Sequence, residues 1–219
     1  MTGWQQVQVI KHDFIGGGVV QARNELRLRS QDHAAVLQAL SLRNPLIVAW
    51  SYAGRLIDDY VLAYGSKGLA AINYVAARTM TDARFNGPGT AHIRGMMKPD
   101  LETNIAATRK FLRACCFGPQ SPPEFELTLA YNMAVPPAIR AAHIRRPDSP
   151  GAAMDLLDIP VLVTQGTQDL LVSQGLGDLT AQRITGAKLS LYPATGHSPF
   201  LEATRRFNTE LAAFRTAIP

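Results

Sequence analysis

Residues 45–65 read PLIVAWSYAGRLIDDYVLAYG. LIVAW is a short continuous apolar run, as in a parallel strand covered on both faces, and RLIDDYVLAYG carries apolar residues at helical spacing. SYAG must turn the chain sharply between them, so the stretch reads as strand, tight turn, helix. Ser51 occupies the turn, with Ala49 two residues before it, Ala53 two after it, and Gly54 next. A serine on such a turn is held out from the sheet on a strained backbone, which demands small residues at those flanking positions. The match to G-x-S-x-G is imperfect, because alanine stands where glycine is usual. The Tyr52 N–H would lie at the helix N-terminus and stabilise a developing oxyanion.

Upstream, DHAAVLQALSL (32–42) has helical spacing that ends before Pro45. Downstream, LAAINYVA (69–76) reads as a second strand, completing a βαβ unit and predicting a parallel sheet. The character then changes. Residues 82–151 hold helical patterns over 100–117, 122–134 and 136–145, with Pro and Gly between them and no strand. Alternation returns with IPVLVTQG (159–166) as a strand, 176–184 as a helix, AKLSLYP (187–193) as a strand and 198–214 as a closing helix. The expected organisation is an α/β core over 1–81 and 152–219, with a helical insertion over 82–151.

A chain of 219 residues with 47% apolar content fits one ordinary globular domain and excludes a disordered one. The net charge of +5 is spread without clustering, so no nucleic-acid footprint is expected. The longest apolar runs are strand-length, far short of the roughly 20 residues that span a bilayer. The opening MTGWQQVQVIKHDF lacks the pattern of a signal peptide, and the cytoplasm is the expected compartment. Cys115 and Cys116 are neighbours with no second half of a zinc site, and read as packing residues on a helix. His12, His33, His92 and His143 show no metal-ligand spacing, so neither a metal nor a cofactor is expected.

A serine nucleophile needs a base and a carboxylate to orient that base. His197 lies in YPATGHSPF (192–200), between a strand and the last helix, and Asp169 in TQGTQDL (164–170), just after the preceding strand. All three candidates sit at the C-terminal ends of parallel strands, where open α/β sheets carry their sites, in the order Ser, Asp, His.

Together VAWSYAG (48–54), VLVTQGTQDLLV (161–172) and LYPATGHSPFLEATRRFNTELAAF (191–214) resemble the α/β-hydrolase superfamily. The likeness runs from about residue 32 to the end and is greatest to the esterase, lactonase and non-haem haloperoxidase-like branch. It implies Ser51 as nucleophile, His197 as general base, Asp169 as its orienting acid and the insertion as a lid. Asp82 is a rival acid, since some members carry it after the earlier strand, but G-T-Q-D matches the commoner position. Asp58 and Asp59 are expected on a solvated helix face. Trp50, Met96, Met97 and Phe111 are candidates to line an apolar pocket over Ser51, which would take a small or medium apolar ester or lactone.

Family members carry several strands before the elbow, and an HG-type loop that donates a second oxyanion N–H. Four strands and two helices need roughly 65–75 residues, whereas 44 precede Pro45, so two or more early strands are expected to be missing or replaced. VQVI (7–10) reads as a strand, and KHDFIGGG (11–18) as a glycine turn in preference to an HGGG-type oxyanion loop. The leading expectation is a cofactor-independent serine hydrolase of carboxylic esters or lactones. The alternative is a catalytically impaired hydrolase fold acting as a binding or interaction module, whose exposed sheet edge would favour a homo-oligomer.

Overall fold

The computed structural model describes residues 26–144, 146 and 148–218. The VQVI strand and the glycine turn after it, and with them the question of the early strands, lie outside the described residues. Within them the chain runs α1 (Leu26–Ala39), β1 (Leu46–Trp50), α2 (Ala53–Tyr64), β2 (Ala71–Val75), α3 (Ile93–Met96), α4 (Leu101–Ala114), α5 (Pro122–Met133), α6 (Pro137–Ile144), β3 (Val161–Gly166), α7 (Gln174–Arg183), β4 (Lys188–Tyr192), α8 (Pro199–Glu202) and α9 (Thr204–Thr216).

The four strands form one parallel sheet in the order β1-β2-β3-β4. β2 and β3 are buried along their whole length, as strands covered on both faces must be. Their side chains alternate between two cores. Ile72, Tyr74, Val161 and Val163 meet Ile57, Tyr60 and Val61 of α2 on one face. On the other, Ala71 and Leu162 meet Phe214, and Val75 meets Phe207, both from α9. The Phe207 and Phe214 spacing lays one stripe of α9 on the sheet.

Helices α3 to α6 lie between β2 and β3, and α4 and α5 pack through Leu112, Phe125 and Leu129. Asp100 caps α4 by accepting from the Thr103 N–H at 2.8 Å, and Ser121 with Glu124 forms a capping box on α5. Cys115 and Cys116 are buried just past the end of α4 rather than within it.

Two further expectations are corrected. Residues 198–214 are not one helix: α8 and α9 part at Ala203, whose φ of −132° and ψ of 44° are not helical. Asp58 and Asp59 are not on a solvated face. Every residue from Gly54 to Val61 is buried, because α2 is sandwiched between the sheet and a cover made by α1 and the turn at Ala152–Leu156. The two carboxylates therefore need partners inside the protein. Tyr74 donates its hydroxyl to Asp58 at 2.9 Å, and Arg146 donates to both oxygens of Asp59 at 2.6 Å. Among the described residues no helix is long and apolar enough to cross a membrane.

Candidate active site

Ser51 has a φ of +53°, a left-handed backbone that costs an L-residue roughly 1–2 kcal/mol. Its peptide is held on both sides. The Ser51 N–H donates to Val75 O at 3.0 Å, and Ser51 O accepts from the N–H groups of Gly54 at 3.1 Å and Arg78 at 2.9 Å. A Cβ on Gly54 would stand 3.0 Å from the Cβ of Ala77 and 3.1 Å from the Arg78 backbone. The turn is thus pressed against the segment that follows β2, which is why small residues were needed here. Tyr52 begins α2. Its hydroxyl accepts from Arg146 at 3.2 Å, and the Arg146 guanidinium lies 5.6 Å from its ring centre.

Asp169 and His197 meet. Asp169 Oδ2 lies 2.8 Å from His197 Nδ1, and both side chains are almost wholly buried. The same carboxylate accepts from the Leu171 N–H at 2.7 Å, the Val172 N–H at 3.0 Å and the Gln165 amide at 3.1 Å. Four donors on one carboxylate fix its plane, and its plane fixes the imidazole. The rival Asp82 is spent elsewhere, capping the turn at Ala83–Phe85 and pairing with Arg84 at 2.6 Å.

Close backbone crossings support the histidine loop. A Cβ on Gly166, the last residue of β3, would overlap the carbonyl oxygens of Gly196 and Thr195. The Gln168 N–H donates to Thr195 O at 2.9 Å. Only glycine lets the strand end and the loop pass so near each other.

Trp50, expected as a substrate contact, donates its indole N–H to His197 O at 2.7 Å, with its ring centre 5.6 Å from the imidazole. The elbow strand and the histidine loop are joined by this bond. Among the described residues no hydrogen bond joins the Ser51 hydroxyl to the imidazole. Met96 is buried in α3, and Met97 is half-buried beside it. Phe111 packs into two clusters, with Leu112 and Phe125 and with Cys115 and Leu171, neither of which contains an elbow residue.

Burial pushes the Cys115 and Cys116 thiols up, that of Cys116 to about 11, so neither offers a thiolate at neutral pH. Among the described residues no group of three His, Cys, Asp or Glu side chains is arranged to hold a metal ion.

The profile described as the alpha/beta hydrolase family matches residues 16–210. The chain belongs to that family. No curated protein matches. Among solved structures, the α/β hydrolase described here is similar to the esterase RhEst1 from Rhodococcus sp. ECU1013, at 28% identity and a TM-score of 0.84, over 92% of this chain and 76% of that one. A bromoperoxidase from Bacillus anthracis shares the fold at 18% identity and a TM-score of 0.75, over 88% and 75% of the two chains. The esterase EaEST from Exiguobacterium antarcticum shares it at 15% identity and a TM-score of 0.76, over 89% and 75%.

Three residues around the candidate site were not anticipated from the sequence. Gln165 buttresses Asp169, and Arg78 donates to Leu171 O at 3.3 Å and to the Asn86 side chain at 2.7 Å, tying the segment after β2 to the acid's loop. Glu202 accepts from the Gly196 and Ser198 N–H groups of the histidine loop. Gln165 and Arg78 leave no pattern in the sequence, since each acts through a strand end or a loop. Glu202 does leave one, as a carboxylate in the first helical turn after Gly-His-Ser-Pro, where orphan N–H groups collect.

Proposed function

We propose that the protein is a serine hydrolase of carboxylic esters or lactones, with Ser51, His197 and Asp169 as its catalytic groups. The observation that carries this reading is the buried Asp169–His197 pair at the sheet end that also bears the strained Ser51 turn. With Nδ1–H donated to Asp169, Nε2 keeps its lone pair and serves as the base. Ser51 Oγ attacks the carbonyl carbon as Nε2 takes its proton, and the Tyr52 N–H receives the oxyanion. The imidazolium returns the proton to the leaving alkoxide, and Asp169 balances the charge meanwhile. Water, losing a proton to the same Nε2, then attacks the acyl carbon; the ester bond to Ser51 breaks, the carboxylic acid leaves, and the imidazolium returns its proton to Ser51 Oγ. The hydroxyl–imidazole hydrogen bond is needed only with substrate bound, and catalytic hydrogen bonds of this kind are commonly open in the unliganded state.

No cofactor enters this chemistry. Likeness to an esterase at 28% identity supports an ester as the substrate. Residues 82–151 would act as a lid, and the Trp50 ring beside His197, with Met96, Met97 and Phe111 of the insertion, would supply apolar surface for a small or medium acyl group. Turnover of p-nitrophenyl acetate tests the proposal. Ser51→Ala and His197→Ala are each expected to lower kcat by 10³-fold or more, roughly what loss of the nucleophile or base costs such enzymes. Wild-type protein with no turnover beyond that of Ser51→Ala would favour the alternative, a hydrolase fold retained as an interaction module.

A further inference from the structure

The carboxylate of Glu202, at the end of α8, accepts backbone N–H groups from two distant stretches of chain. Oε1 takes Gly196 at 3.0 Å and Ser198 at 3.3 Å, the residues on either side of His197. Oε2 takes Phe117 at 2.6 Å and Gly118 at 3.4 Å, just beyond the end of α4. None of these four N–H groups has a backbone acceptor among the described residues, so Glu202 is where their hydrogen bonds go. His197 itself donates its N–H to Cys115 O at 3.0 Å. A Cβ on Gly196 would lie 2.7 Å from Phe117 N, so the two stretches are in direct backbone contact.

We propose that Glu202 is a positioning residue for His197, stapling the 196–198 loop to the end of α4 and thereby fixing where the imidazole stands against Asp169 and Ser51. The proposal rests on the reading of His197 as the base. One carboxylate holds both neighbours of His197 and a stretch of the helical insertion, so a shift of α4 is transmitted to the imidazole. Glutamine in its place keeps the shape but offers one oxygen, and turns an N–H₂ group toward N–H donors. Aspartate keeps the charge, but its shorter stem reaches only one of the two stretches.

Two readouts on the intact protein test this. The first is the downfield proton resonance of His197 Nδ1–H, assigned by its loss in His197→Gln. The second is kcat and KM for p-nitrophenyl acetate. In Glu202→Gln the resonance is expected to shift or broaden away, and kcat to fall about ten- to hundredfold with KM held within about twofold, the cost of an angstrom-scale misplacement. Glu202→Asp should give a smaller loss in the same direction, and it serves as the test variant if Glu202→Gln does not fold. Glu126→Gln, which alters an exposed pair with Arg109, should leave both readouts as in wild type. An unchanged resonance, an unchanged kcat, or a loss confined to KM in a folded Glu202 variant overturns the proposal. If wild-type protein shows no Ser51-dependent turnover, the hydrolase reading fails on its own and the resonance alone decides the role of Glu202.

Discussion

Asp58 lies where water does not reach it, and burial pushes its carboxyl from 3.8 up to about 8. The Tyr74 hydrogen bond, Arg55 and Arg146 pull it back down, and neighbouring Asp59 adds to the rise. The folded protein therefore holds a proton on Asp58 that the unfolded chain releases near pH 4. Its contribution to stability is fully present below that value and is lost as pH rises toward about 8, a span worth on the order of 5 kcal/mol. Urea titrations between pH 4 and 9 should show wild type losing stability with pH more steeply than Asp58→Asn. Parallel curves would refute a protonated Asp58. Asp169, by contrast, is surrounded by four donors, and Asp169→Asn offers the imidazole an amide in place of the carboxylate. A fall in kcat of about 10⁴-fold for p-nitrophenyl acetate, with KM little changed, is expected from the wrong tautomer. A tenfold loss or less would mean that Asp169 does not orient the base.

At the scale of elements, the helices between β2 and β3 are fastened to the core at two points, one midway along and one near their end. Glu202 holds the end of α4, and Arg146, where the chain leaves α6, holds α2. The Arg146 and Asp59 side chains are 4% and 6% exposed, so removing one leaves the other's charge buried. Arg146→Ala is expected to cost about 3–5 kcal/mol in urea unfolding, while Arg146→Met with Asp59→Leu should recover most of that. If the double variant is as unstable as the single one, the pair is not what holds α2 to the insertion. Arg146 also braces the Tyr52 side chain, so the same single variant should slow turnover in whatever fraction remains folded.

Across the whole molecule, the strands were legible because each is a short apolar run bounded by turn residues. LIVAW, LAAINYVA, IPVLVTQG and AKLSLYP all correspond to strands of one parallel sheet. Asp169 and His197 were legible because the loops that carry them follow two of those strands, and a parallel sheet aligns strand ends. Asp58 and Asp59 were misread because an acidic pair in a helix pattern reads as a solvated face, while their burial comes from partners supplied by folding, Tyr74 of β2 for Asp58 and Arg146 after α6 for Asp59. Gln165 was missed because the carboxylate it buttresses is brought to it by folding and leaves no pattern in the linear chain, whereas Glu202 had a local signal whose second half, the Phe117 and Gly118 N–H groups, is far away in sequence. β1 pairs only with β2 among the described residues, and Val48 and Trp50 on it are 44% and 38% exposed. The expectation of self-association through that edge is read directly from elution volume in size-exclusion chromatography, where a stable monomer counts against it.

All of this turns on Ser51 being an activated nucleophile. Intact-mass analysis after reaction with a fluorophosphonate measures that without any choice of substrate. A single adduct is expected, mapped to Ser51, absent in Ser51→Ala and formed far more slowly in His197→Ala. No adduct on wild-type protein, or one that survives Ser51→Ala, would contradict it.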